Sequence, residues 1–222
     1  MKCCMALIAG ILSGFTSLSS NAQAATDPAQ GDIRDLTVGL SVADLPVTGY
    51  ARFTCSSENS EPETTLSGWS DYPRCPADAA GLHEVSVQYD DSLQPWAQVN
   101  DKWEGTKVAG HPVRLSVLIN TAGVVQGLRV LTDPAARKYL RKKAYLLSFK
   151  VKSRYGAEGW QCVRQKPAHG ETPVGGVYIN EHCEKTSGSK HLVLDTRLYR
   201  SAEQDLQDFT NSTRFEIWLA TS

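Results

Sequence analysis

The chain predicts an α+β fold: antiparallel sheets with helices packed on one face, arranged as two tandem copies of one unit and stapled by disulfides. Three observations carry this. Several short runs alternate apolar and polar residues, the period that turns one face of a strand toward a core. One longer segment, 134–155, repeats apolar residues at spacings of three and four, the helical period. Finally, one order occurs twice, over 40–90 and over 140–199: a helix-prone segment, a strand ending in Cys, a polar loop, a second Cys and an alternating strand.

In chain order, residues 1–24 read as a secretory signal peptide. Lys2 supplies the positive start, Met5 to Phe15 an apolar run, and Ala22-Gln23-Ala24 the small-x-small pattern before cleavage. The run is short of the roughly 20 apolar residues that span a bilayer, so a periplasmic or secreted protein without a transmembrane span is expected. Residues 25–33 are small and polar and read as a flexible lead. The first unit then covers 34–132 and the second 133–222.

"DLTVGLSVADLP" (35–46) reads as an extended entry and a helical turn that the Ser41 hydroxyl can cap. "GYARFTC" (49–55) is β-prone. The Ser-, Glu- and Pro-rich stretch after it reads as a loop held at both ends. "LHEVSVQYD" (82–90) alternates, with Leu82, Val85 and Val87 suggesting one buried side. "HPVRLSVLINTAGVVQGLRVLTD" (111–133) holds two β-rich runs around Asn120-Thr121-Ala122-Gly123, a hairpin turn. A helix then follows, with Thr132 or Asp133 as cap, Pro134 at its first position, Leu140, Ala144, Leu147 and Val151 as its inward stripe and Gly156 past its end. "GWQC", "GGVYIN", "HLVLDTRLYR" and "RFEIWLA" complete the strands.

Export makes disulfides the expected state of Cys55, Cys75, Cys162 and Cys183. Four cysteines allow three pairings. The near-equal spacings, 20 and 21, favour Cys55–Cys75 and Cys162–Cys183. A four-thiolate zinc site would use C-x-x-C pairs, and the sequence has none.

"VGLSVADLP" resembles the helix-opening G-M-S/T-x-x-x-[VL] signature of small exported modules of the beta-lactamase inhibitor protein and outer-membrane-assembly lipoprotein type. "GHPVRLSVLINTAGVVQGLRVLTD" is similar to the strands that follow it there. The resemblance covers about a quarter of the chain, with Leu40 where Met is usual and an inserted disulfide loop. It implies a helical pair on an antiparallel sheet, often duplicated, no catalytic centre and a protein-binding role.

The residues point to no chemistry of their own. His83-Glu84 and Glu181-His182 form no H-E-x-x-H, since position 87 is Val87, and neighbours in a strand point to opposite faces. No G-x-S-x-G occurs. No catalytic residue, metal site or cofactor is expected.

Charge is the strongest remaining signal. The chain has 23 basic and 24 acidic residues, yet Arg137, Lys138, Arg141, Lys142, Lys143, Lys150, Lys152 and Arg154 fall within 134–155 with no acid among them. Of 22 basic residues after the signal peptide, 14 remain elsewhere against the 24 acids, so a positive segment belongs to a negative body. Two readings stand. The charges are shared with acids of the same molecule, or they form an anion-facing surface. On the second reading Arg137, Lys138, Arg141 and Lys142 are the binding residues. The partner is then an acidic protein or another anionic envelope component, with contact to a membrane surface open as well. Export and a pI near 6.5 argue against nucleic acid. Trp69, Trp96 and Trp103, outside regular strands, are further candidate contacts. The function expected is therefore an exported, non-catalytic binding module. A hydrolase of envelope polymers without a recognisable motif and a small-molecule or metal carrier are the alternatives. Oligomeric state is left open.

Overall fold

Alternating residues need a sheet that buries one face, and the chain builds one large antiparallel sheet. In a computed structural model of the protein, the structure describes residues 31–56, 64–90, 106–205 and 207–220. Its strands are β1 (Tyr50–Cys55), β2 (Leu82–Tyr89), β3 (Lys107–Val108), β4 (His111–Asn120), β5 (Val125–Thr132), β6 (Gln161–Arg164), β7 (Ile179–Ser187), β8 (Lys190–Tyr199) and β9 (Thr210–Leu219). They lie in the order β1-β2-β4-β5-β9-β8-β7-β6, with β3 paired to β4. The architecture is mostly antiparallel sheet with few helices and two disulfides. The signal peptide and most of the lead, like Trp96 and Trp103, lie outside the described residues.

Register explains the core. One transverse row runs Val87, Leu115, Val130, Phe215, Leu194, Cys183, Cys162, and the next runs Val85, Val117, Leu128, Ile217, Leu192. All but the last member of the first row are buried. Because side chains alternate across a strand, fixing one row fixes the whole face. β5, from the first half of the chain, pairs with β9, from the second, so residues of both halves meet in one core cluster.

The hairpin forms at Asn120–Gly123. Asn120 Oδ1 accepts the N–H groups of Ala122 at 3.0 Å and Val124 at 2.9 Å. Gly123 takes φ 75°, which other residues reach only with strain. Ser41 caps a short 3-10 turn, Val42–Asp44, by accepting from Ala43 N at 3.3 Å.

Three expectations change. The lead does not stay loose to residue 33. Ile33 and Leu36 exchange backbone hydrogen bonds, Asp32 Oδ2 accepts from Val38 N at 3.0 Å, and the Asp32 carboxylate pairs with Lys190. Trp69 is not a surface ring. It is 3 % exposed, donates from Nε1 to Pro46 O at 2.8 Å, and meets Tyr50 and Phe53 edge-on. It leaves no face for a partner.

The third change concerns the helix expected over 134–155, which is broken. Asp133 heads a turn, taking Ala135 N on Oδ1. α1 spans only Lys138–Arg141, a 3-10 turn covers Ala144–Leu146, and α2 spans Leu147–Arg154. The cause is charge. Arg137 with Arg141 and Lys138 with Lys142 are like-charged i,i+4 pairs, which destabilise a helix. Cations at its start also oppose the helix dipole, and no side chain caps α1. α2 survives because Leu147 and Val151 are buried in the core and Lys152 and Arg154 fall in its last turn, where the dipole favours them.

The other face of the sheet is polar. Arg129 donates to Glu84 at 2.6 Å and to Glu216 at 2.5 Å. Arg214 Nη2 lies 2.8 Å from Glu216, and Trp218 Nε1 donates to Glu216 at 3.0 Å. Gly127 lies opposite Trp218 on the neighbouring strand. A Cβ there would come within 2.8 Å of the indole, so glycine is what lets the ring lie down. On β7 and β8, His182 sits between Asp195 at 2.7 Å and Glu184 at 3.0 Å.

These pairs set a pH profile. Burial pushes the Glu216 carboxyl up, but Arg129 and Arg214 outweigh it and hold the group below its ordinary 4.5. Its contribution is therefore present above about 4.5 and is lost as pH falls through the lower folded value. Hydrogen bonds to Asp195 and Glu184 raise His182 above 6.5. That contribution is full below 6.5 and fades as pH rises through the raised value. His111 runs the opposite way: burial, then Lys150 and Lys143, lower it, so stability falls as pH drops below 6.5. Thermal melts should therefore peak near pH 6.5, and His182→Gln should flatten only the alkaline side. A wild-type melting temperature unchanged from pH 6.5 to 9 would contradict the His182 assignment.

Candidate functional site

Breaking the helix sorts its charges. Lys152 is used inside the molecule, 2.9 Å from Glu181, which Arg164 also contacts. Burial alone would raise the Glu181 carboxyl, yet its hydrogen bonds to Arg164 and Lys152 hold it below its ordinary value. To that extent the charges are shared intramolecularly.

Lys138, Arg141 and Lys142 are placed differently. They line a cavity of about 560 Å³ between the α1 region and the start of β9, with Tyr139 and Phe209 as aromatic walls and Asp208 as its one acid among the described residues. Arg137, at the residue before α1, is not among the lining residues. Three of the four basic residues singled out in the sequence are thus brought to one cavity.

Two donor atoms on residues that line this cavity lack acceptors among the described residues. Arg141 Nε is buried and has no hydrogen-bond partner among the described residues, and the same holds for Asn211 Nδ2. The orientation of Asn211 is fixed, because its Oδ1 accepts Tyr145 N at 2.8 Å, so Nδ2 faces away from that backbone. A buried donor without an acceptor costs roughly 1–3 kcal/mol, and more when it is charged. Both atoms are shut off from solvent, so what the cavity itself presents is the charge of Lys138, Arg141 and Lys142.

Chemically, the cavity offers donors and positive charge. Among the described residues lining it there is no histidine, serine or cysteine. His83 and Glu84 diverge as strand neighbours must: His83 Nδ1 meets Cys75 O at 2.6 Å, and Glu84 bonds Arg129 on the opposite face. One grouping of metal-type ligands exists among the described residues, Cys162, Glu181 and Cys183, but its two sulfurs are bonded to each other and are not thiolates. No helix among the described residues is long and apolar enough to cross a membrane.

Asn211 was hidden from sequence reasoning. It is the second residue of the last strand, in an Asn-Ser-Thr run, and its partner Tyr145 is 66 residues away. Trp218 had a local signal, because Gly127 interrupts a strand, where glycine often marks a close approach.

No protein-family model, no curated protein and no solved structure matches the chain.

Proposed function

We propose that this chain is an exported, non-catalytic binding module that takes an anionic group of an acidic envelope or extracellular protein into the cavity of Lys138, Arg141 and Lys142. The observation that carries the reading is the convergence of Lys138, Arg141 and Lys142 on one cavity whose described lining holds a single acid, Asp208. A carboxylate inserted there would meet these three cations, and charge-assisted hydrogen bonds are the strong ones. Export is supported by the paired cysteines, since disulfides persist in oxidising compartments.

The finer reading of the fold belongs to the same proposal. The strand order supports two copies of one unit, 34–132 and 133–222, joined through β5 and β9. Each copy gives a helical segment, an edge strand with a half-cystine and further antiparallel strands. The resemblance to beta-lactamase inhibitor protein-type modules is consistent with that plan and with a protein partner.

The test is calorimetric titration of residues 25–222 with a hexaglutamate peptide at rising salt. Binding should weaken as salt rises. Arg141→Gln should lose about tenfold to a hundredfold in affinity, the worth of one or two hydrogen bonds to a charged group. The same variant should melt no lower than wild type, because the Arg141 Nε it removes has no hydrogen-bond partner among the described residues. Lys166→Gln, on the exposed surface, should change neither. Equal binding by Arg141→Gln and wild type would refute the site. A drop of several degrees in its melting temperature would make Arg141 a structural residue instead.

A further inference from the structure

A second cavity, of about 530 Å³, lies against α2, and its chemistry differs. Ile33, Val108, Leu147, Val151 and Phe215 give it an apolar body. Tyr155, packed against Phe215 with ring centroids 5.1 Å apart, closes one wall. Cations stand around it: Lys150 and Arg154 from α2, with Arg34 and Lys107 from the segments facing them. Asp32 is the single acid among the lining residues. It is already occupied, holding Val38 N and pairing with Lys190. Lys150 is exposed and makes no hydrogen bond or ion pair with any described residue. Its field also contributes to holding His111 below its ordinary value, as an uncompensated charge would.

We propose that this cavity binds a single-chain amphipathic anion, a long-chain carboxylate whose tail lies against Leu147, Val151 and Phe215 and whose head meets Lys150. Its size falls within the roughly 300–1,000 Å³ of small-molecule sites, which are apolar with a few placed polar groups. The wall chemistry disfavours a peptide. Tyr155 Oη already donates to Asp32 O at 2.6 Å, and Arg154 Nη2 to Gly31 O and Asp32 O. An inserted backbone would bury amides without partners, at roughly 1–3 kcal/mol each. An alkyl chain brings no such groups, and its head group completes the charge pattern at the mouth. The site is separate from the Lys138 cavity and does not depend on it.

Titration calorimetry of residues 25–222 with dodecanoate, dodecanol and dodecyltrimethylammonium, all below their micelle concentrations, tests this. Dodecanoate should bind one per chain, with the neutral and cationic analogues at least about tenfold weaker, a difference of about 1.4 kcal/mol. Lys150→Glu should weaken dodecanoate about tenfold or more by reversing the charge at the head. Val108→Trp should abolish binding by filling the cavity. Arg141→Gln should leave it unchanged, which separates this result from the fate of the anionic-partner site. Lys150 is a surface residue, so its variant carries the test even if Val108→Trp fails to fold. The proposal is overturned if the three amphiphiles bind alike or not at all, or if Lys150→Glu keeps full affinity. It is equally overturned if sedimentation shows a dimer that Val108→Trp converts to monomer, since a second copy of the chain would then cover the cavity.

Discussion

Replacing Arg129 with Met should destabilise the protein by about 3–5 kcal/mol, the usual cost of removing one partner from a buried charge network. The size of the effect comes from what is left behind. The side chains of Arg129, Glu84 and Glu216 are 14 %, 15 % and 8 % exposed, so water does little to screen them. Among the described residues Arg129 alone joins the two carboxylates; without it Glu84 loses that contact, and Glu216 keeps Arg214 and the Trp218 indole N–H. At roughly 2–4 °C per kcal/mol for a chain of this size, the melting temperature should fall by about 6–20 °C. The acid limb should also move. With Arg129 gone, Arg214 is left to oppose burial at the Glu216 carboxyl, so the group rises relative to wild type and stability is lost at a higher pH. Arg129→Met with Glu84→Gln and Glu216→Gln should recover part of the loss, because the unpaired charges go with the cation. A single variant melting within 2 °C of wild type would mean that the polar face is solvated and contributes little.

The same network shows where sequence reasoning ends. Strands were legible because alternation is local: "LHEVSVQYD" carries its buried side in its own residues, and "INTAG" carries its turn. Arg129 and Glu216 are 87 residues apart, and nothing in either strand says which will be its neighbour. The segment 134–155 misled for a different reason. Its apolar spacing is helical, but spacing ignores the repulsion between cations one turn apart, and the helix breaks where these are densest. That break aims Lys138, Arg141 and Lys142 at one cavity and Lys150 and Arg154 at another, so the clustered charge has more than one destination. Trp69 looked exposed because its neighbours have loop composition. Its burial follows from the short disulfide-closed loop, which folds the ring back over Tyr50 and Phe53.

The two disulfides should respond differently to removal, although loop entropy treats them alike. Cys55–Cys75 and Cys162–Cys183 close loops of separation 20 and 21, worth about 3 kcal/mol each on loop entropy alone. Their surroundings differ. Cys55 and Cys75 are both buried beside Trp69, so Cys55→Ala with Cys75→Ala frees the loop that holds that ring in the core. It should lower global stability by about 3–5 kcal/mol. Cys162 and Cys183 face each other across β6 and β7, and all four residues of β6 are exposed. Beyond its backbone pairing, β6 is held by that bond and by the solvent-exposed Arg164 side chain on Glu181, so Cys162→Ala with Cys183→Ala should release this edge locally and leave the rest folded. Hydrogen exchange should show lost protection over 161–164, with a smaller drop in melting temperature than for the first pair. Mild reductant should also open Cys162–Cys183 first. Cys162 is exposed to attack, and Lys152 Nζ lies 3.6 Å from its sulfur, where a cation favours the departing thiolate. If Cys55–Cys75 were reduced first, the loop around Trp69 would have to open more readily than the edge strand, and the core placed beneath it would be the part of the fold to revise.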